Sequence, residues 1–403
     1  MKKLVERKEV RRLTFLFAAA YMISYITRIN YGAIIAEMEN ATSFSRSTLS
    51  MAITGSFFTY GAGQIVSGIC GDRFSPKKLV SCGFVVTMIM NLLIPLCQNP
   101  YQMLAVWCVN GFAQSFLWPP LVRLMAALLS KEDYKNTMPR VSWGCSVGTI
   151  LVYLLSPLLI SSFGWKSVFL FSALCSAVMI FVWNRYSYEI DSNAPKTVLC
   201  QDCGKKKPLF SGLMIFIMLA IILHGMLRDG VTTWMPSYIS ETYHLSRRIS
   251  ILTGVILPLF SIICFQLATA LHTRKFANPL LCAGVFFAAG SVAALALFLL
   301  SGQNAAFSVL FSALLTGCMH GVNLLLIGML PPYFQKYGNV STVSGLLNSC
   351  TYIGSAISSY GIAVLSENTG WSMTLFLWLV AAVLGTVLCL LCVRPWAHSF
   401  EKR

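Results

Sequence analysis

Twelve long apolar stretches follow one another through this chain, near residues 13–36, 47–71, 78–98, 101–129, 139–162, 165–184, 209–237, 249–272, 277–300, 305–333, 341–366 and 371–393. Each reaches the roughly 20 residues that a helix needs to cross the hydrocarbon of a bilayer. Hydrophobic residues make up 56% of the chain and charged residues 11%, whereas a soluble domain carries about 25% charged residues. The expectation is an all-α membrane protein with twelve transmembrane helices. The first stretch lacks a small-residue cleavage signature and is followed by eleven more, so it reads as helix 1 and not as a signal peptide.

A net charge of +16 could point to a nucleic-acid partner, but its placement argues against one. With the N-terminus in the cytosol, 24 of the 30 basic residues fall in inner loops and ends. Arg46, Lys166, Arg247 and Arg248 fall outside. Such a bias orients membrane helices. It predicts a multi-pass protein of the plasma membrane with both termini cytosolic, surrounded by the lipid bilayer and binding no nucleic acid. Most of the 14 cysteines sit within apolar stretches, where Cys acts as a small hydrophobe. Cys200-Gln-Asp-Cys203 is a lone CxxC without a second pair nearby, and a structural zinc site needs four ligands. No metal and no cofactor is expected.

Residues 185–208 form the longest polar stretch between spans and read as a cytosolic linker. They divide the chain into six-helix bundles over 1–184 and 209–403. The halves echo each other: Gly164-Trp165 and Gly370-Trp371 are 206 residues apart, as are Gly148 and Gly354. Pro119-Pro120 recurs as Pro331-Pro332. Parallel repeats of this kind mark transporters whose site lies where the repeats meet. One chain supplies both halves, so a monomer is expected.

Two charges lie at membrane depth. Arg28 is inside the first stretch and Arg228 inside the seventh. A charge there is costly and marks a substrate or ion pathway. Tyr21, Tyr25, Arg28 and Gly32 fall on one helical face. His224 lies one turn before Arg228, and Thr232 and Met235 continue its face. A guanidinium offers a planar set of donors that fits a phosphate or carboxylate. The alternative is a salt bridge within one half. Glu37, Glu39 and Asp72 sit near helix ends, and Asp229 is the one deep carboxylate. Asp229 follows Arg228 directly and is expected to point about 100° away around the helix, where it could pair with a neighbouring helix. His224, Asp229 and His320 are the only candidates for a proton relay.

The loop Gly68-Ile-Cys-Gly-Asp72-Arg73-Phe-Ser-Pro-Lys77 resembles the GxxxDRxxxK loop of the major facilitator superfamily. Asp72 could pair with Arg73 or with a neighbouring helix end and hold an inner gate shut. Within that superfamily the chain resembles the organophosphate:inorganic phosphate antiporters. Tyr25-Ile-Thr-Arg28-Ile-Asn30-Tyr31, the stretch from Asn110-Gly111 through Gln114 and Trp118-Pro119-Pro120 to Arg123, and Arg228-Asp-Gly230…Trp234-Met-Pro236-Ser-Tyr238 carry the likeness. Trp143 and Tyr352-Ile-Gly354 fall at family-like places. The resemblance implies the major facilitator fold, two pseudo-symmetric six-helix bundles. It implies that Arg28 and Arg228 grip a phosphoryl group from opposite halves while Tyr25, Trp118, Trp143 and Tyr352 line the cavity. It also implies exchange of a phosphate ester for inorganic phosphate by a rocker switch. The chain departs from some members at Gln64 and Ile29, around Leu257-Pro258, and over Trp143-Gly-Cys-Ser-Val147. Phosphonates, sugar phosphates, glycerol phosphates and organic carboxylates therefore all remain open as substrates. A proton- or sodium-coupled carboxylate symporter and a transporter-like sensor of a phosphorylated ligand are the competing readings. No nucleotide loop or membrane-depth nucleophile–base pair points to an enzyme.

Overall fold

A computed structural model describes residues 6–42, 44–188, 212–245, 256–337 and 339–401. Most of the expected linker (189–208), the Cys200–Cys203 pair, Arg247, Arg248 and the start of the eighth stretch (249–255) lie outside the described residues. Among the described residues the structure is helical and contains no strand. In order, the helices are α1 (Arg7–Ala33), α2 (Ile35–Ala41), α3 (Arg46–Arg73), α4 (Pro76–Leu93), α5 (Pro100–Gln114), α6 (Trp118–Leu128), α7 (Lys131–Phe163), α8 (Lys166–Tyr186), α9 (Gly212–Tyr243), α10 (Ile256–Arg274), α11 (Pro279–Leu299) and α12 (Ala305–Asn323). The last long element, Val340–Trp396, breaks at Gly370, where φ is 76°, into α13 (340–369) and α14 (371–396).

Eight of these helical segments are long and apolar enough to cross a membrane on length and composition alone. The expected spans not among them are the first, second, fourth and eleventh. They fall short because they are broken or carry polar residues, and those polar residues are buried: Thr27, Arg28 and Asn30, Gln64 and Ser67, Asn110 and Gln114, Ser344 and Thr351. The outward faces are apolar instead. Phe163, Phe181 and Phe58 are 78%, 72% and 76% exposed, an arrangement suited to lipid, since soluble monomers rarely expose contiguous apolar surface on this scale.

The fourth expected span is not one helix. It stops at Gln114 and restarts at Trp118. Pro119 and Pro120 have no N–H to continue the ladder, and Ser115 N turns back to Gly111 and Phe112 carbonyls at 3.3 and 3.2 Å. The tenth span is likewise interrupted: α12 passes into a π-helical turn, Leu324–Met329, and then a 3-10 segment, Pro331–Tyr337. The two Pro-Pro pairs thus mark the same kind of break.

The chain clusters into two compact units, residues 1–204 with 331–349, and residues 205–330 with 350–403. In the first, α1 packs on α7, α3 on α5, and α4 on α8. In the second, α12 packs on α9, α10 and α11. The echoes in the sequence have the same local cause in each. Gly164 and Gly370 both hold a left-handed φ, 75° and 76°, that lets two long helices meet in a tight turn. Gly148 and Gly354 are both sites of close helix approach: a Cβ would stand 2.6 Å from Met22 O in one unit and 2.0 Å from Ile222 O in the other.

Candidate functional site

In the first unit Arg28 is 8% exposed. Its guanidinium carbon lies over two rings, 4.3 Å from the Tyr25 centroid and 4.6 Å from that of Tyr60. The negative faces of aromatic rings attract such a cation, more strongly when both are desolvated. Tyr25 meets Tyr21 edge-on at 5.2 Å, and Tyr21 lies 4.6 Å from the Trp118 ring. The break before α6 places Trp118 at a helix start, where its ring reaches α1. Tyr25, Tyr21 and Trp118 therefore join Arg28 in one chain of contacts. Trp143 is half-buried on α7, beside Gly144, which presses on Ala18 O of α1. The indole N–H groups of Trp118 and Trp143 are both buried without a hydrogen-bond partner among the described residues.

The adjacent face of α1 is fixed by a buried polar network that sequence reasoning missed. Ser24 Oγ donates to Gln114 Oε1 at 2.8 Å, and Gln114 Nε2 donates to Thr27 Oγ1 at 2.8 Å. Asn110 and Asn91 donate to the Thr27 carbonyl at 3.2 and 3.3 Å. Asn30 Nδ2 donates to Asn91 Oδ1 at 2.8 Å and to Ser172 Oγ at 2.9 Å. Three helices, α4, α5 and α8, thereby set the rotation of α1, and with it the direction in which Arg28 projects. The available signal was the spacing of Ser24, Thr27 and Asn30, three polar residues three apart in an apolar run. Tyr60 was also missed, lying one turn before Gln64.

In the second unit Arg228 is 9% exposed. Its Nε donates to Asp229 Oδ1 at 2.7 Å and its Nη2 to Asp229 Oδ2 at 2.8 Å. This overturns the expectation that Asp229 points away. The backbone does rotate between neighbours, but the long guanidinium arm curls back and meets the carboxylate two-on-two. Arg228 Nη1 also donates to Asn323 Oδ1 at 3.1 Å. The Ser355 hydroxyl donates towards Asp229 Oδ2, with Thr351 O, at 2.9 Å, as its second acceptor. Neither Asn323 nor Ser355 was singled out, although a lone Asn in an apolar run is a visible signal. His224 is fully buried one turn before Arg228. His320 packs edge-on against Phe265 at 5.5 Å, and Tyr352 is half-buried beside Thr351.

The loop between α3 and α4 is organised around Asp72. Its Oδ1 accepts from Ser341 N at 2.9 Å and its Oδ2 from Thr342 N at 2.7 Å. These are orphan donors of the first turn of α13, so the carboxylate caps that helix and faces the positive end of its dipole. Asp72 takes the neighbouring helix end; Arg73 is exposed. Arg123 completes the loop: its Nη1 donates to the carbonyls of Gly71 and Phe74, and its Nε lies 3.9 Å from Asp72 Oδ1. Gly68 lets the helices meet, since a Cβ there would stand 2.8 Å from Ser341 O. Lys77 Nζ donates to Ser187 O at 2.9 Å and so ties the start of α4 to the end of α8.

Residues 17–359 match the Major Facilitator Superfamily. The chain belongs to the Major Facilitator Superfamily. Its relatives in that superfamily are transporters and transporter-like proteins, not enzymes. The glycerol-3-phosphate transporter of Bacillus subtilis is 22% identical over 389 residues, covering 90% of this chain and 87% of that protein. Membrane sensor protein UhpC of Salmonella typhimurium is 21% identical over 399 residues, 92% of this chain and 88% of that one. A probable hexose phosphate transport protein of Chlamydia trachomatis is 23% identical over 171 residues, and this match spans only 42% of the chain and 38% of that protein's length. Among solved structures, the proton:xylose symporter XylE superposes with a TM-score of 0.78 at 11% identity, covering 98% of this chain and 96% of that one. The fold is therefore the major facilitator fold, as the helix motifs led us to expect.

Proposed function

We propose that this facilitator moves a small organic anion across the plasma membrane, exchanging a phosphate ester for inorganic phosphate by alternating access. Arg28 and Arg228 are its anion ligands, with Tyr25, Tyr21, Trp118, Trp143, His224 and Tyr352 around them. The observation that carries this reading is a guanidinium almost fully buried in a long helix of each unit, a placement that marks a substrate or ion pathway in membrane proteins. Relatives whose names specify phosphorylated substrates support it. The moving parts are the bundles 1–184 and 209–403, joined by a cytosolic linker over 185–208, with both termini cytosolic and one chain sufficient. Gly68, Asp72, Arg73 and Lys77 form the inner gating loop, with Asp72 as its latch.

The test is exchange in liposomes loaded with unlabelled phosphate, read as entry of labelled inorganic phosphate. Arg28→Lys and Arg228→Lys are expected to abolish it, because a point charge does not replace a planar set of donors. No exchange by folded wild-type protein would refute antiport of phosphate. A second reading, sensing of a phosphorylated ligand, is favoured by the likeness to a membrane sensor over 92% of the chain. Phosphate binding without exchange would select it.

A further inference from the structure

The geometry points to Asp229 as a tethered counter-anion: a carboxylate that occupies the donors of Arg228 and must give way before an anionic substrate can take them. Both carboxylate oxygens of Asp229 meet Arg228, at 2.7 and 2.8 Å, in the two-on-two arrangement that an incoming phosphate or carboxylate would itself adopt. Asp229 is also held from outside its own helix. Ser355 Oγ contacts its Oδ2 while the carboxylate is paired, and that hydroxyl belongs to α13, a different helix from the one carrying Arg228. A second helix therefore keeps the carboxylate in its pairing position. Asn323 Oδ1, on Nη1 at 3.1 Å, steadies the guanidinium in either arrangement.

The consequence is competition. Buried and without an anion, Arg228 would carry an uncompensated charge, and Asp229 supplies the compensation from within the same helix. Substrate binding must replace that pair with an equivalent one, so the affinity measured for an anion is what remains after the internal ligand has been displaced. When substrate leaves, Asp229 closes on Arg228 again and the unit is neutralised without cargo. Asp229 thus sets affinity and prevents a bare guanidinium from persisting between cargoes. Ser355 is a positioning residue that acts through Asp229.

This inference rests on the anion-binding reading above, and the test separates the two. The full-length protein in lipid nanodiscs is titrated with labelled inorganic phosphate, comparing wild type with Asp229→Asn, Ser355→Ala, Arg228→Lys and the double variant Asp229→Asn/Arg228→Lys. Asp229→Asn is expected to bind phosphate at least about tenfold more tightly, because a neutral amide cannot compete for the charge. Ser355→Ala is expected to tighten binding about two- to fivefold by removing the donor that holds Asp229, and it covers the case in which Asp229→Asn does not fold. The gain is expected to vanish in the double variant, which a general change in packing would not produce. Binding detectable only in Asp229→Asn would also support the proposal. Arg228-dependent binding by wild type that is unchanged or weaker in both Asp229→Asn and Ser355→Ala would overturn it and leave the anion reading standing. No binding by any of the folded proteins would overturn both.

Discussion

Replacing Asp72 by Asn tests whether its carboxylate is the latch of the inner gating loop. The wild-type side chain accepts two charge-assisted hydrogen bonds from Ser341 N and Thr342 N, at 2.9 and 2.7 Å. An amide has one oxygen, so it can keep one of these as a neutral bond and must turn an NH2 group towards the other N–H. A bond to a charged group contributes about 1.5–3 kcal/mol and a neutral one about 0.5–1.5 kcal/mol. Loss of the favourable charge at a helix start removes a further 0.3–1 kcal/mol or so. Arg123, 3.9 Å from the carboxylate and partly exposed, adds little to the sum. The net weakening is about 2–4 kcal/mol, a drop of roughly 30- to 1,000-fold in the protection of these two amides. Hydrogen–deuterium exchange with mass spectrometry on a peptide covering 339–350 reads that protection directly. Exchange in the variant that stays within about threefold of wild type would refute the argument, because the amides would then owe their protection to something other than Asp72.

Removing one ring beside Arg28 by Tyr60→Leu is expected to destabilise the folded protein by about 0.5–2 kcal/mol, the cation–π contribution, read as a lowered melting temperature in detergent. Gly354→Ala places a methyl 2.0 Å from the Ile222 carbonyl, which cannot swing aside; a loss of about 1–3 kcal/mol is expected as a lowered melting temperature in detergent. The matching Gly148→Ala, 2.6 Å from Met22 O, is expected to act in the same direction in the other unit. Gln114→Leu leaves Ser24 Oγ and Thr27 Oγ1 without their buried partner; about 1–3 kcal/mol of destabilisation is expected, together with a fall in exchange rate as α1 loses its rotational anchor. Unchanged transport in a destabilised Gln114→Leu protein would show that the network does not aim Arg28.

Much of the architecture was legible because the bilayer imposes a simple rule on the sequence. Among the described residues the apolar stretches fall on helical segments, the fourth and tenth interrupted, and Gly164, Gly370, Gly148 and Gly354 could be paired before their backbone roles were seen. Their legibility comes from sterics: a left-handed φ or a carbonyl at 2–3 Å leaves no other residue as a ready substitute. The helix break at Ser115–Leu117 was announced by Pro119-Pro120, yet hydropathy joined the pieces because both are apolar. The site was harder to read. Spacing along α1 grouped Tyr21, Tyr25 and Arg28 correctly, since all three share one helix. Tyr60, Asn323 and Ser355 come from other helices, and no one-dimensional pattern says which turn of α3, α12 or α13 stands opposite an arginine. The error over Asp229 has a different origin. Helical angle locates Cβ atoms, whereas a guanidinium sits several bonds farther out and can fold back across 100°. Angular arguments hold for short side chains and fail for the longest ones.

The two arginines solve the same electrostatic problem by different means, and the difference bears on how an anion is handled. A buried guanidinium has to be compensated. The rings of Tyr25 and Tyr60, 4.3 and 4.6 Å from its guanidinium carbon, contribute to this for Arg28. A carboxylate does it for Arg228 by taking the in-plane donors themselves. On the reading proposed above, an anion arriving at Arg228 exchanges with a charge already present. That exchange succeeds only for an anion that binds the guanidinium better than Asp229 does with its hold from Ser355, and a dianionic phosphoryl group meets that condition more readily than a monocarboxylate. On this argument, preference for phosphate esters over carboxylates resides in the second unit, and Asp229→Asn is expected to relax it.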